Sequence, residues 1–381
     1  MRKAEGSAWG RSRRGRRSGQ ALLLAAVLAA LGAAGGAGAA EELAFGGHVL
    51  QSASAETPLS GGVSLEGGAA TTLAFVLDAR RDSASLRASF HFSALFGTET
   101  SRLWASLLAN PAGADAVLLS TPFDPSAAMP DTMFLLALDD LALRWDVGSF
   151  AFETGKTYAN WGVGKAFSPA DFFAEFDYSS GTPARRSKLM ARATWFAGAA
   201  SRVDVVLDPY ASLGGTIAAR AYTTAFESLA CSLAAGLREA KGGEPLSFLA
   251  SVETSFDLPL LSPYGEAAFT MALDGSSSFS YSLLGGGMAR VGDATLAGEY
   301  LFSPDSIAGH GLFALGSLPL DEWTALSIPL LYYPESGALT TGINLSISEL
   351  AGLSLGLGVA ASRSDSQPWS GRLSLSARSD F

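Results

Sequence analysis

The stretch AGLSLGLGVAASRSDSQPWSGRLSLSARSDF (residues 351–381) reads as two strands joined by a polar connection. In its first part Leu353, Leu355, Leu357, Val359 and Ala361 alternate with Ser354, Gly356, Gly358 and Ala360. In its last part Leu373, Leu375, Ala377, Ser379 and Phe381 alternate with Arg372, Ser374, Ser376, Arg378 and Asp380. Successive strand side chains point to opposite faces, so this period of two makes one face apolar and the other wet. The connection 362–371, SRSDSQPWSG, has the composition of an exposed loop.

The same rhythm continues upstream. In ALTTGINLSIS (338–348), Leu339, Thr341, Ile343, Leu345 and Ile347 alternate with Thr340, Gly342, Asn344 and Ser346. Nineteen strand-like windows can be drawn between 44–53 and 370–381, one of them at 102–109. Residues 110–132, with four prolines, read as a long loop. A soluble β-sandwich has the same period. Two features favour a barrel: the polar positions hold small or charged residues, and the apolar face runs through many strands while only 16% of residues are charged. Segments of this kind, rich in glycine and without a membrane-length apolar helix, predict a closed antiparallel transmembrane β-barrel over residues 41–381. Bacterial barrels have even strand numbers, so the expectation is about 16 strands, within about 14–18.

Residues 1–40 carry seven basic side chains against Glu5, then the apolar run ALLLAAVLAALGAA from Ala21 and a small-residue zone ending at Ala40. That order predicts a cleaved secretory signal peptide. Taking the +6 of this segment from the overall −10 leaves −16 for residues 41–381, which argues against nucleic-acid binding. The acidic balance also suggests a mild preference for cations. The single cysteine, Cys231, excludes an intramolecular disulfide.

Residues 154–173 carry the densest local information, and the segment just before them pairs with their start. Gly148-Ser149 suits a type II′ turn, with glycine first. The resulting register sets Val147 opposite Phe150, Trp145 opposite Phe152 and Arg144 opposite Glu153. The aromatic pairs then face lipid and the charged pair faces the lumen. Alternation puts Lys156 on the lipid face, where a cation costs roughly 2–4 kcal/mol at the midplane. A bulge at Gly155 or Lys156 is therefore expected to turn Lys156 inward. Trp145, Tyr158 and Trp161 are expected in interfacial girdles. Lys165, Arg185 and Arg186 are candidates for the pore mouth, in a connection 162–186 able to fold back and narrow the pore.

GKTYANWGVGKAFSPADFF (155–173) resembles a pattern of some bacterial outer-membrane, porin-like barrels: Gly-(Lys/Arg)-Gln, then Trp-Gly, then Phe-x-Pro-x-Asp-x-Phe. The likeness rests on Gly155, Lys156, Trp161, Gly162, Phe167, Pro169, Asp171 and Phe173, and departs at Thr157, where the pattern has Gln. The ending on Phe381, with Leu373 and Leu375 on its face, resembles the terminal strand that the barrel-assembly machinery reads. These resemblances imply an outer-membrane barrel passing small solutes, with the lipid bilayer and the assembly machinery as partners.

No catalytic motif emerges. His48, His91 and His310 lack metal-like spacing, and there is no G-x-S-x-G elbow, P-loop or dinucleotide fingerprint. No cofactor and no metal are expected. The leading expectation is a channel for passive diffusion. Its rivals are a partner-binding barrel with a filled lumen and a barrel-wall hydrolase built on His91 or His310.

Overall fold

The computed structural model describes residues 42–59, 65–109, 116–118, 130–174, 176–177, 184–185, 187–209, 215–225, 228–239, 245–274, 279–304, 309–350, 352–364 and 367–381. The expected signal segment, Arg186 and most of 110–132 lie outside them. Among the described residues, eighteen strands form the wall. The first five are β1 (Glu42–Pro58), β2 (Glu66–Arg81), β3 (Ala84–Gly97), β4 (Thr132–Val147) and β5 (Phe150–Thr157). Then come β6 (Lys188–Gly198), β7 (Ser201–Asp208), β8 (Thr216–Ala225), β9 (Leu229–Arg238) and β10 (Ser247–Phe256). Next are β11 (Leu261–Ala272), β12 (Phe279–Val291), β13 (Ala294–Ser303) and β14 (Gly309–Pro319). The last are β15 (Thr324–Tyr333), β16 (Ala338–Leu350), β17 (Leu353–Ser364) and β18 (Gln367–Asp380).

Each strand pairs antiparallel with the next. β1 also pairs with β18, from His48 opposite Asp380 to Pro58 opposite Ser370, so the sheet closes on itself. Closure leaves no wall edge to recruit another chain. The expected count of about 16 is thus corrected to 18. The surplus window at 102–109 is helical: α1 spans Thr98–Ala109. Leu103 and Leu107, like Trp104 and Leu108, are spaced by four, which is a helix period rather than a strand period.

Two-residue connections such as those between β2 and β3, β4 and β5, β6 and β7, and β12 and β13 mark one end of the barrel. Both termini of the wall lie at this turn end. The β4–β5 register sets Val147 opposite Phe150, Trp145 opposite Phe152 and Arg144 opposite Glu153. Gly148 has φ +59°, as a glycine-first turn demands.

The bulge falls elsewhere than expected. β5 keeps an unbroken register with both neighbours through Lys156. On β4, Ser89 faces Asp140 while Phe90 faces Leu138, so Asp139 is the extra residue. Lys156 therefore stays on the outer face, opposite Leu141 and Leu189, and is not a lumen residue. Its ammonium donates to the Leu138 carbonyl, beside the bulge. Gly155 takes φ +136° without shifting register, and a Cβ there would strike the Leu141 carbonyl.

The outer face exposes Val205, Leu207, Ile217, Leu233, Val252, Leu283, Val359, Leu373 and Leu375. Aromatics flank this apolar band. Near the turn end, Phe75 lies 6.1 Å from Phe45, 5.2 Å from Phe90 and 6.0 Å from Phe381. Near the other end, Phe269, Phe279, Tyr281 and Phe302 form a chain of ring contacts 5.9–6.1 Å apart. Phe381 exchanges two backbone hydrogen bonds with Gly47, each 3.0 Å, and so completes the β1–β18 seam.

Candidate functional site

The residues after β5 turn into the barrel. Ala159–Phe173 forms an inward loop packed on the inner wall from β6 to β15. Asn160 (φ +55°) and Gly162 (φ +80°) make the entry turn. A Cβ at Gly162 would collide with the Ser168 hydroxyl, so the close approach needs glycine.

Trp161 is fully buried, and the expectation of an interfacial girdle is corrected for it. Its ring meets Phe173 edge-on at 5.1 Å and Phe172 at 6.2 Å, among Met190, Val206 and Ala218. Fully burying such side chains is worth about 1.5–3 kcal/mol each. At the other flank Phe167 enters a second cluster with Leu284, Phe313 and Leu331. Gly311 makes room for it: a Cβ there would stand 2.7 Å from Phe167 Cζ.

Asp171 ties the loop to itself. Its carboxylate accepts from the Trp161 amide (3.1 Å), the Phe173 amide (3.1 Å) and the Arg185 guanidinium (2.6 Å). Arg185 also donates to the Trp161 carbonyl at 3.0 Å. Burial pushes the Asp171 carboxyl above its ordinary range, and Arg185 and the two amides oppose that push.

Two acids from the wall hold the loop from outside. Glu266 on β11 accepts from the amides of Val163 (2.6 Å), Gly164 (2.7 Å) and Ala170 (2.9 Å). Glu299 on β13 accepts from the amides of Lys165, Ala166 (2.9 Å) and Phe167 (3.0 Å) and from the Tyr264 hydroxyl (2.7 Å). Arg238 adds a bond to the Phe172 carbonyl at 3.0 Å, and Ser251 one to the Ala170 carbonyl at 3.3 Å. Glu266 and Glu299 are the site residues that sequence reasoning missed. Each is the only acidic residue of its strand, about a hundred positions or more from the amides it binds.

The inner wall of β6–β10 is charged but paired. Asp204 sits 2.9 Å from Arg192 and 3.3 Å from Arg202, and Arg220 pairs with Glu253. The overall acidity therefore does not describe the lumen: these acids face arginines or loop amides, which undercuts the expected preference for cations.

Under the loop lies a cavity of about 670 Å³ lined by Asn160, Lys165, Arg185, Tyr222, Tyr264 and Asp257. A second, of about 440 Å³, lies along β1–β5 and is lined by Asp78, Arg87, Arg144, Glu153 and Tyr158. Tyr158 thus faces the inside rather than a girdle, which corrects that expectation. Trp145 stands on the outer face, 42% exposed. Arg144 lines the cavity but bonds Asp146 (2.8 Å), its neighbour along the strand, rather than Glu153. Arg185 is held inside by Asp171 instead of standing free at the mouth. Leu373, Leu375 and Phe381 lie on the outer face.

His91 bonds Asp139 at 2.8 Å, and His310 bonds Tyr300 at 2.5 Å with Glu335 alongside. Among the described residues no serine hydroxyl bonds either ring, and no three His, Cys, Asp or Glu gather as metal ligands.

No protein-family model matches the chain, and no curated protein matches it in sequence. Its fold is similar to solved structures. Acinetobacter baumannii OccAB4 aligns over 89% of this chain and 98% of its own, with TM-score 0.57 and 7% identity. Pseudomonas aeruginosa OpdK with vanillate aligns over 88% and 98%, with TM-score 0.54 and 11% identity. A BenF-like porin from Pseudomonas fluorescens Pf-5 aligns over 90% and 99%, with TM-score 0.56 and 8% identity.

Proposed function

We propose that this chain is an outer-membrane channel through which small polar solutes diffuse passively. The observation that carries it is a closed ring apolar outside and charged within. Exposed leucines, valines and isoleucines coat the outer face between two aromatic bands, while inner cavities are lined by Arg, Glu, Asp and Tyr. Apolar surface of that extent is stable against acyl chains and not against water. The turn end then faces the periplasm and the long connections face outward. The inward loop forms the constriction, and the charged walls beside it act on whatever passes. Residues 1–40 direct export, and the Leu373, Leu375 and Phe381 face serves the barrel-assembly machinery. No enzymatic role is assigned. The similar OpdK structure with vanillate supports a small solute as cargo.

Purified protein in planar bilayers tests this directly. Stepwise conductance is the expected result. A barrel that inserts and stays electrically silent overturns the channel and favours the filled-lumen reading.

A further inference from the structure

We propose that Glu266 and Glu299 are the positioning residues that set the width of the pore, by pegging the inward loop to the wall. This rests on the channel reading above. Both carboxylates are buried, at 5% and 4% exposure, and between them they accept six loop amides from Val163 to Ala170. Consecutive amides converging on a carboxylate make an anion-binding nest, here filled by the protein's own side chains. A carboxylate only accepts, so both oxygens suit amide donors. A glutamine at either position presents an NH₂ group to some of those amides and leaves them unbonded.

The division of labour is visible in the partners. Asp171 and Arg185 bond within the connection and hold its shape. Glu266 and Glu299 bond across to β11 and β13 and hold its place. Phe167 fills the Gly311 gap, and its own amide is one of those on Glu299. Loss of both pegs therefore strips the 163–170 amides of their wall acceptors, leaving the Phe167 packing and the Ser251 bond to the Ala170 carbonyl, while the strand ladder is untouched.

Two readouts test the assignment in a Cys231→Ala background. Ala166 is fully buried, and Ala166→Cys reports loop position through its rate of maleimide labelling. With Glu266→Gln and Glu299→Gln together, labelling is expected to accelerate at least tenfold, and single-channel conductance to fall roughly twofold as the loosened segment leaves the wall for the lumen. Heat-modifiable migration of the folded band checks closure of the barrel. The single variants carry the same test if the double variant does not assemble. Unchanged labelling in a closed barrel overturns the assignment, as does faster labelling with unchanged conductance in a conducting protein. If the parent protein is silent in bilayers, the channel reading falls, while the labelling still decides whether these acids place the loop.

Discussion

Replacing Asp171 with alanine should loosen the inward loop without opening the barrel. The carboxylate binds two amides at 3.1 Å and the Arg185 guanidinium at 2.6 Å, and its side chain is 2% exposed. Removing one partner of a buried pair costs about 3–5 kcal/mol, because the other charge stays buried. Arg185 keeps its bond to the Trp161 carbonyl, so the lower end applies. At about 1.4 kcal/mol per factor of ten, the Trp161 and Phe173 amides should exchange with solvent roughly a hundredfold faster or more. The assay is native-state hydrogen exchange in lipid nanodiscs. Amides in the β7–β8 ladder, such as Val205 and Ala219, serve as the internal control. Unaltered exchange at Trp161 and Phe173 refutes the assigned role of Asp171, and so does equal acceleration in the ladder.

Three further outcomes follow from single residues. Gly47→Val should lower the yield of heat-resistant barrel, because a Cβ there meets the Phe381 ring at 2.8 Å and the Ala74 carbonyl; Gly285→Val, with nothing within 4 Å, should not. Lys156→Leu should raise stability against denaturant, by at most about 2–4 kcal/mol, the cost of a cation at the lipid midplane, and a net loss argues against its outer placement. Asp321, in the β14–β15 turn, accepts from the amides of Trp323 (2.8 Å) and Thr324 (2.7 Å), which hold its carboxyl below the usual range. A lowered folded pKa stabilises the turn above the unfolded pKa and loses that contribution as pH falls through the folded one. The Trp323 and Thr324 amide resonances should therefore move together on acidification, and stay flat in Asp321→Asn.

Much of the wall was legible in the sequence because strand periodicity is local. The sides of β16, β17 and β18 follow from alternation, and the Arg144–Glu153 register follows from one glycine-first turn. At 102–109 a second local pattern competes: the apolar residues repeat at a helix spacing, and the segment is helical. Lys156 stays outside with its ammonium on the Leu138 carbonyl, beside a bulge on the neighbouring strand that the sequence around Gly155 does not reveal.

The inward loop is a different case. Trp161 and Tyr158 have the composition of girdle residues, and nothing within ten positions says that they enter the lumen. Trp161 is buried by Met190, Val206 and Ala218 on β6–β8, and the loop after it is held by Glu266, Glu299 and Gly311 on β11–β14, which come within reach only when the eighteen-stranded ring has closed. A two-residue period records which side of the wall a residue faces; it carries no information about what fills the space that the wall encloses. The sequence by itself determined an alternating wall with an apolar outside, and the tertiary structure alone decided which segment lies inside it.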